Sequence, residues 1–432
     1  MNTSKVAGAG CSRGLEVERV VFGLMNRRFQ FAVVVSSTCL VGLLLLGAVR
    51  GRSAAAADNP SDSPYNHLRV YSEVLSRIKM EYVEEPDMKA VTAGAINGML
   101  ESLDPYASYL NAEQYKQYLK SKESVKADVG LGLSRRFGYL TVVDALPGSP
   151  AAKAGLGTGD VIESINNISS RDMPLAFSEM LLQGDAGSTI EISVLRTRRS
   201  EPQNVTLTRA MLVYPPITAR LVTDQGSDAI GVISTESLGR GRAKEIAAKV
   251  ADLQKQGAKR FILDLRHCST GDIAEGMMLA NVFLDKGLIT YLLGQKITRQ
   301  DFQADAARAV TKAPLVVIVH RGTAGPAEVA AAALLDSKRA DVVGERSFGD
   351  AAVRKAINMD DGAAVILSVA KYYSPSGKAI QDTGVTPNIL QGDTEAAPTP
   401  DSDDDTVPDA DAPHAAGPDL MMKQAIATVT KK

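Results

Sequence analysis

The chain has 432 residues, of which 45% are hydrophobic, and its formal net charge at pH 7 is -2. This length and composition predict about two or three packed domains and exclude a wholly disordered chain. The nearly balanced charge excludes a strong overall field that would attract nucleic acid or an anionic membrane surface. Any partner is therefore expected to be recognised by a local site.

The first long apolar segment, residues 31–49, has nineteen consecutive residues without a charge. A helix of this length crosses a hydrocarbon layer of about 30 Å. Arginines lie on both sides, and the leading pair, Arg27 and Arg28, favours a cytoplasmic N-terminus. The stretch 53–58 offers signal-peptidase sites, but the segment is longer than a usual signal core, which favours an uncleaved anchor. We predict a single-pass bacterial inner-membrane protein with its main body in the periplasm, or a periplasmic protein if the segment is cleaved.

Cysteine and histidine spacing predicts neither a disulfide nor a metal site. Only Cys268 falls in the exported part, because Cys11 precedes the apolar segment and Cys39 lies within it. The four histidines show no pair at i, i+4 spacing, and no CxxC pattern occurs. No cofactor is expected.

After the N-terminal segment, residues 1–58, apolar residues at helical spacing predict an all-helical cap over 65–122. Asp104 and Pro105 are expected to end its second helix, because proline lacks the N–H that continues the helical ladder. From 125 to 210 the apolar period changes to two. Strands there alternate with two short helices, which predicts a separate α+β domain.

The α+β domain begins near the stretch GLGL, which is Gly130, Leu131, Gly132 and Leu133. Glycines leave backbone N–H groups unshielded, so the strand edge beside them can receive a peptide, although a bulge or tight turn is the alternative for so short a motif. The order of the following elements, with SPAAKAGLGTGDVIESIN, resembles a PDZ domain. The resemblance implies that residues 130–133 hold the C-terminal carboxylate of a peptide added as a strand.

Residues 211–391 alternate short apolar strands with helices, which predicts crossover connections and a mainly parallel, buried sheet. Residues 392–432 begin as an acidic stretch rich in proline and alanine, which predicts a disordered tether, and end in a short helix, DLMMKQAIATV. The predicted fold class is therefore α/β: an N-terminal transmembrane helix, a helical cap, an α+β PDZ domain and a mainly parallel α/β core.

Together with the motifs LDPYASYL and AKYYSPSGKAIQDTGVTPNI, these segments resemble the carboxy-terminal processing peptidases, also called tail-specific proteases, over residues 65–391. The resemblance implies a serine-type endopeptidase in which a serine on the turn before a helix attacks the peptide bond. It also implies a lysine on a neighbouring turn, which acts as general base because burial lowers its pKa. Two backbone N–H groups form the oxyanion hole of that family.

The residues at those family positions differ in this sequence. Gly325 stands at the nucleophile position, Asp350 at the general-base position and Arg354 at the position of an assisting glutamine. Pro326, next to the nucleophile position, has no N–H for an oxyanion, and in the second oxyanion loop, DLRHCSTG, only Gly271 matches the family pattern. Loss of a nucleophile or its base removes about six orders of magnitude from turnover. The inherited mechanism is therefore expected to be absent.

Another set of reactive residues, His267, Cys268, Ser269 and His320, is expected at the C-terminal ends of sheet strands, where ligands of α/β folds bind. One hypothesis is an active peptidase with a displaced nucleophile, a Cys268 thiolate paired with His320. The alternative is that Cys268 is a small buried residue and that the histidines are surface or hydrogen-bonded core positions.

The leading hypothesis is a membrane-tethered pseudopeptidase that binds the C-terminal peptides of exported or membrane proteins and acts as an adaptor or regulator. A third hypothesis is a structural protein whose groove no longer binds. The resemblance also implies self-association, or pairing with an active relative, through the helical cap. Nucleic acid is not expected as a partner.

Overall fold

The computed structural model describes residues 64–123, 126–136, 138–171, 173–196, 201–223, 229–392 and 419–432. The predicted membrane segment, 31–49, and all but the first residue of the predicted tether, 392–418, lie outside these ranges. Within the ranges, no helix is both long enough and apolar enough to cross a bilayer. The chain divides into two compact units, Met1–Met88 and Lys89–Lys432, and the described part of the first is chiefly helix α1 (Pro64–Glu81).

The segment predicted to be an all-helical cap contains a strand. After α1 it comprises α2 (Met88–Glu101), β1 (Ser108–Leu110) and α3 (Ala112–Lys122). The chain turns after α2 because the Asp104 carboxylate accepts hydrogen bonds from the N–H groups of Tyr106 at 2.8 Å and Ala107 at 2.7 Å. Strand β1 then pairs antiparallel with the much later strand β18 (Ala364–Tyr373). Three residues are too few to display a period of two, so the sequence pattern did not predict β1.

Residues 126–210 form an antiparallel sheet with two short helices. The elements are β2 (Leu131–Arg136), β3 (Tyr139–Ala145), α4 (Pro150–Lys153), β4 (Val161–Ile165), β5 (Ile168–Ser169), α5 (Leu175–Leu182), β6 (Thr189–Leu195) and β7 (Gln203–Thr208). The strand order is β2, β3, β4, β6, β7, with β5 beside β4. Among the described strands, β2 therefore pairs on one side only. The strands and helices predicted from the period of two are all observed here.

A six-stranded sheet forms the core of the second unit. Its strands and the neighbouring elements are β8 (Thr218–Val222), β9 (Ile230–Ser234), β10 (Ser237–Leu238), α6 (Arg242–Lys255), β11 (Arg260–Asp264), β12 (Thr270–Gly271), α7 (Ile273–Phe283), β15 (Leu315–Val319), α8 (Pro326–Asp336), β16 (Asp341–Gly344), β19 (Ile389–Leu390) and α9 (Leu420–Thr430). The order is β19, β16, β15, β11, β9, β8, and every pair is parallel except β8 with β9. This is the mainly parallel sheet that the sequence predicted.

Both faces of this sheet are covered, which explains why its strands read as continuous apolar runs. Phe261 and Leu263 of β11 pack toward α6, α7 and α8, whereas Ile262 packs on the opposite face. Helix α9 covers that opposite face with Met421 and Val429, both fully buried. The predicted short terminal helix is therefore part of the core.

A second sheet of the core is antiparallel. It contains β1, β13 (Leu288–Leu293), β14 (Gln300–Gln303), β17 (Ala352–Asn358) and β18. The order is β1, β18, β13, β14, with β17 also paired to β18. The sequence prediction of one mainly parallel sheet over residues 211–391 is wrong for β18, the strand AVILSVAKYY, which pairs antiparallel. β17 and β18 are consecutive in the chain and joined by a tight turn at Gly362, so they pair as a hairpin.

Candidate functional site

The turn between β15 and α8 has the geometry of a sharp strand-to-helix elbow. At its end Gly325 adopts φ 62° and ψ -121°, a region open almost only to glycine, and Pro326 begins α8. A Cβ at position 325 would meet only the Asp350 carbonyl oxygen, at 3.6 Å. Thr323 fixes the turn, because its hydroxyl accepts the N–H of His320 at 3.0 Å and donates to the Leu265 carbonyl at 2.8 Å. The backbone of this elbow is therefore formed, and it carries no side chain at its tip.

Glu328, fully buried in the first turn of α8, joins this elbow to the loop before β17. Its carboxylate accepts hydrogen bonds from the N–H groups of Gly325 (3.0 Å), Gly349 (2.7 Å) and Asp350 (2.7 Å), and from the Ser347 hydroxyl (2.5 Å). Burial raises the Glu328 pKa to about 7, although these hydrogen bonds oppose the shift. Glu328 thus fixes the position of Asp350 relative to Gly325.

The loop before β17 presents a carboxylate that is already paired. Asp350 forms a salt bridge with Arg354, and the Arg354 guanidinium carbon lies 3.6 Å from the centre of the Tyr106 ring. Tyr106 reaches this place because the Asp104 turn after α2 directs it there, and its ring also packs edge-on against Phe348 at 6.5 Å. The cation at this site is therefore an arginine held between a carboxylate and an aromatic face.

The third loop, between β11 and α7, contains both exposed and buried polar groups. Thr270 and Gly271 form β12 and pair in parallel with β10. The Thr270 hydroxyl has no hydrogen-bond partner within the described residues. Cys268, two positions earlier, is fully buried among apolar side chains, and burial raises its thiol pKa far above the usual range. This cysteine is not positioned to ionise.

His267, His320 and Asp144 lie together beside the same loop. The two imidazole rings meet edge-on with centroids 4.7 Å apart, and His267 Nδ1 lies 3.5 Å from an Asp144 carboxylate oxygen of β3. The bond to Asp144 raises the His267 pKa, whereas burial lowers that of His320 to about 3. His320 Nδ1 accepts the N–H of Gly322 at 3.0 Å, so its remaining proton is on Nε2. The structure confirms that His267 and His320 follow β11 and β15, as the sequence predicted, whereas Asp144 of β3 was not predicted here.

The GLGL stretch begins strand β2 and is partly engaged by its own domain. Gly130 has φ 83°, its N–H donates to the Asp128 carboxylate at 2.8 Å, and a Cβ there would lie 2.3 Å from Ser149 Cβ. At Gly132, by contrast, a Cβ would make only ordinary contacts, the nearest at 3.6 Å. Glycine is therefore required at 130 by the backbone, while position 132 accepts a side chain without strain.

The loops of both domains meet at one cavity of about 280 Å³. One wall consists of Leu131, Gly132 and Leu133 of β2 with the end of helix α5, and the facing wall includes residues that flank the elbow and the β17 loop: Ala324, Asp350, Arg354, Ser269 and Thr270. The strand edge predicted to receive a peptide thus faces the same space as Asp350 and Arg354, which stand at the family's general-base and assisting positions. Among the described residues, no group of three or more acidic, histidine or cysteine side chains is arranged to hold a metal ion.

Comparison with known proteins gives the family. The peptidase family S41 matches residues 229–391, the PDZ domain 141–196, and the N-terminal domain of the activating protease CtpB 48–114. The chain is 30% identical over 370 residues to the carboxy-terminal processing protease CtpA of Bacillus subtilis strain 168, covering 84% of this chain and 78% of that protein. The chain belongs to the carboxy-terminal processing protease family.

Other members of the carboxy-terminal processing protease family agree. A carboxyl-terminal-processing protease of Picosynechococcus is 31% identical over 384 residues, which is 88% of each chain. Among solved structures, the photosystem II D1 C-terminal processing protease has a TM-score of 0.64 at 28% identity, over 81% of this chain and 92% of that chain. The S41 match includes the elbow at Gly325 and the loop at Asp350.

Two residues of this candidate site, Glu328 and Tyr106, were not predicted from the sequence. Glu328 was visible as an acidic residue in the first helical turn, which is a capping signal, but its bonds to the β17 loop depend on tertiary packing. Tyr106 comes from the LDPYASYL motif, and nothing in the local pattern indicates that it contacts Arg354. Both contacts join segments that are distant in the sequence.

Proposed function

We propose that this chain is a catalytically inactive member of its family, which binds protein C-termini through the PDZ domain as an adaptor or regulator. The observation that carries the proposal is Gly325: the tip of a formed elbow has no nucleophilic side chain. Two further features agree with it. The facing position holds Asp350, neutralised by Arg354, and Pro326 has no N–H to stabilise an oxyanion.

Loss of the nucleophile or of the base is large enough to abolish turnover alone, and loss of the oxyanion donor lowers it further. Removal of a nucleophile or base costs about six orders of magnitude, and removal of one oxyanion donor costs about two to three. The surrounding hydrogen bonds of Glu328 nevertheless keep the elbow and loop in place. We interpret this combination as selection for a binding role.

The alternative, a displaced nucleophile at Cys268 with His320 as base, is opposed by the environment of both residues. A thiolate–imidazole pair needs a lowered thiol pKa and a histidine that can accept a proton. Burial shifts both in the other direction, raising the pKa of Cys268 and lowering that of His320 to about 3. The His320 Nδ1 lone pair is also occupied by the Gly322 N–H.

Binding is supported by the edge of β2, which pairs with no other described strand, lies beside helix α5 and begins at the GLGL stretch. A peptide added there would gain backbone hydrogen bonds from the strand and side-chain contacts from the cavity.

We further propose the location and association predicted from the sequence. These are an inner-membrane anchor at 31–49, a periplasmic body, and association with a second copy or an active relative through the N-terminal helices.

The test combines cleavage and binding on the full-length chain in detergent. We expect no cleavage of an unstructured protein with an apolar C-terminus, and binding of the matching peptide with a free but not an amidated terminus. Gly132→Val should abolish binding, whereas Gly157→Val, at an open position of the same domain, should not. Cleavage that disappears in Cys268→Ala would instead establish the displaced nucleophile, and equal binding of free and amidated peptides would refute terminus recognition.

A further inference from the structure

The cavity between the β2 edge and the elbow is acidic. Three carboxylates from three separate segments line it: Asp128 before β2, Glu179 of α5, and Asp350 before β17. Arg354 is the basic residue on this wall, and it is already paired with Asp350 and stacked on Tyr106. Asp128 and Glu179 are therefore left without a cationic partner on the wall.

The environment of Glu179 also favours binding of a cation in the cavity. Glu179 is an exposed residue whose carboxylate lines the cavity, where neighbouring protein groups displace part of its water and raise its pKa to about 7. Lys122 of α3 and Arg354 oppose the shift, while Asp350 and Asp128 add to it. Lys122 lies outside the cavity wall, above the Tyr118 ring at 5.1 Å. A positive charge inside the cavity would therefore be stabilised by Glu179, which forms no salt bridge among the described residues, in competition with the more distant charges of Lys122 and Arg354.

Two unpaired hydroxyls make this more than a cluster of acidic side chains. Tyr106 is only 6% exposed, lines the cavity, and its hydroxyl has no hydrogen-bond partner among the described residues. The Thr270 hydroxyl on the facing wall also has none, but its oxygen is enclosed by protein. The Tyr106 hydroxyl can accept a hydrogen bond from an ammonium or guanidinium group, neither of which has an acceptor of its own.

The size of the cavity indicates how much of a ligand it holds. Its volume of about 280 Å³ lies just below the range of roughly 300–1,000 Å³ that is usual for small-molecule pockets. It suits one side chain of a longer ligand better than a whole small molecule. Since Leu131, Gly132 and Leu133 form part of the wall, the rest of that ligand would lie along the β2 edge.

We propose that this cavity receives a lysine or arginine side chain of the bound polypeptide, close to its C-terminus, and that Glu179 is the residue that selects it. The inference rests on the proposed function, because it assumes a chain added at β2. A glutamate at the same ligand position would meet Asp128 and Glu179 with like charge, so acidic C-termini should be rejected.

The experiment measures peptide affinities for the full-length chain in detergent. The peptides share one apolar final residue and differ only in a lysine, glutamine or glutamate scanned through the preceding positions. We expect lysine at one position to bind about 10-fold more tightly than glutamine, equivalent to roughly 1.4 kcal/mol, and glutamate to bind more weakly than glutamine.

Two variants test whether Glu179 causes the preference for lysine over glutamine. Glu179→Gln should reduce the lysine advantage over glutamine to about 2-fold or less. Glu191→Gln removes an equal charge from an exposed site of the same domain and should keep the full advantage. Equal affinities for the lysine and glutamine peptides, or an advantage that survives Glu179→Gln, would overturn the inference while leaving C-terminus binding intact. A chain that binds none of the peptides would overturn both.

Discussion

The backbone N–H of Asp350 donates a 2.7 Å hydrogen bond to the buried carboxylate of Glu328, which also accepts the N–H of Gly325. One side chain therefore holds the two positions at which the family resemblance places the general base and the nucleophile. Neither position carries the residue that the resemblance implies, yet the carboxylate that orients them is fully satisfied. The backbone geometry of the site is therefore kept although the catalytic side chains are absent.

Glu328→Gln should destabilise the core. An amide nitrogen in place of either carboxylate oxygen would face N–H groups of the elbow or of the β17 loop, so at least one of these donors loses its acceptor, at about 1–3 kcal/mol. Urea unfolding measures the loss. Glu345→Gln, which affects a long, partly exposed contact with Arg321, should cost less than about 1 kcal/mol. Equal losses in the two variants would contradict the role assigned to Glu328.

Activity should return in steps as the catalytic groups of the elbow are rebuilt. Gly325→Ser has room for its side chain, at a backbone strain of about 1–3 kcal/mol. Asp350→Lys supplies a base, and Arg354→Gln removes the guanidinium that would repel it. Adding Pro326→Ala to these three changes restores one N–H donor and should raise turnover by about 100-fold.

The measurement is cleavage of an unstructured protein with an apolar C-terminus. The matched control carries Gly325→Ala in the same background and should be inactive. Cleavage by that control, or by the wild-type chain, would mean that the nucleophile lies elsewhere.

His267 should make stability depend on pH in the neutral range. Its folded pKa is raised by Asp144, so its contribution is fully present below the unfolded value of about 6.5 and is lost as pH rises through the folded pKa. His267→Gln should therefore remove part of the stability at pH 6 and little at pH 8.5.

In proton NMR of the imidazoles, His320 should remain neutral at pH 4.5, because its pKa is about 3. A His320 resonance that titrates near pH 6.5 would contradict its buried, neutral state.

The sequence predicted those parts of the fold that depend on local pattern. The strands of residues 126–210 alternate apolar and polar residues, and β11 and β15 are continuous apolar runs, so both sheets were recognisable. β1 and the place of β18 were not, because they depend on pairing between distant segments. The same limit applies to the site. Gly325 and Asp350 were identified from the family resemblance of their sequence motifs, but Tyr106 and Glu179 come to the cavity through tertiary packing.

Removal of the terminal helix should expose the other face of the parallel sheet. Helix α9 is held at its start by Asp419, which accepts hydrogen bonds from Arg266 at 2.8 and 3.0 Å, and at its end by the Lys432–Asp341 salt bridge at 2.8 Å. Deletion of residues 419–432 uncovers apolar side chains of β9, β11, β15 and β16, and we expect self-association in size-exclusion chromatography.

A single substitution tests the same packing without deleting the helix. Met421 is fully buried against the sheet, so Met421→Ala should lower the free energy of unfolding by about 2–5 kcal/mol. Met359→Ala, at a side chain that is 43% exposed, should lower it by no more than about 0.5 kcal/mol. If both variants unfold at the same urea concentration as the wild type, α9 is not an integral layer of the core. In that case the apolar face of α9 must be covered by other groups, and Arg266 would not bind Asp419 in solution.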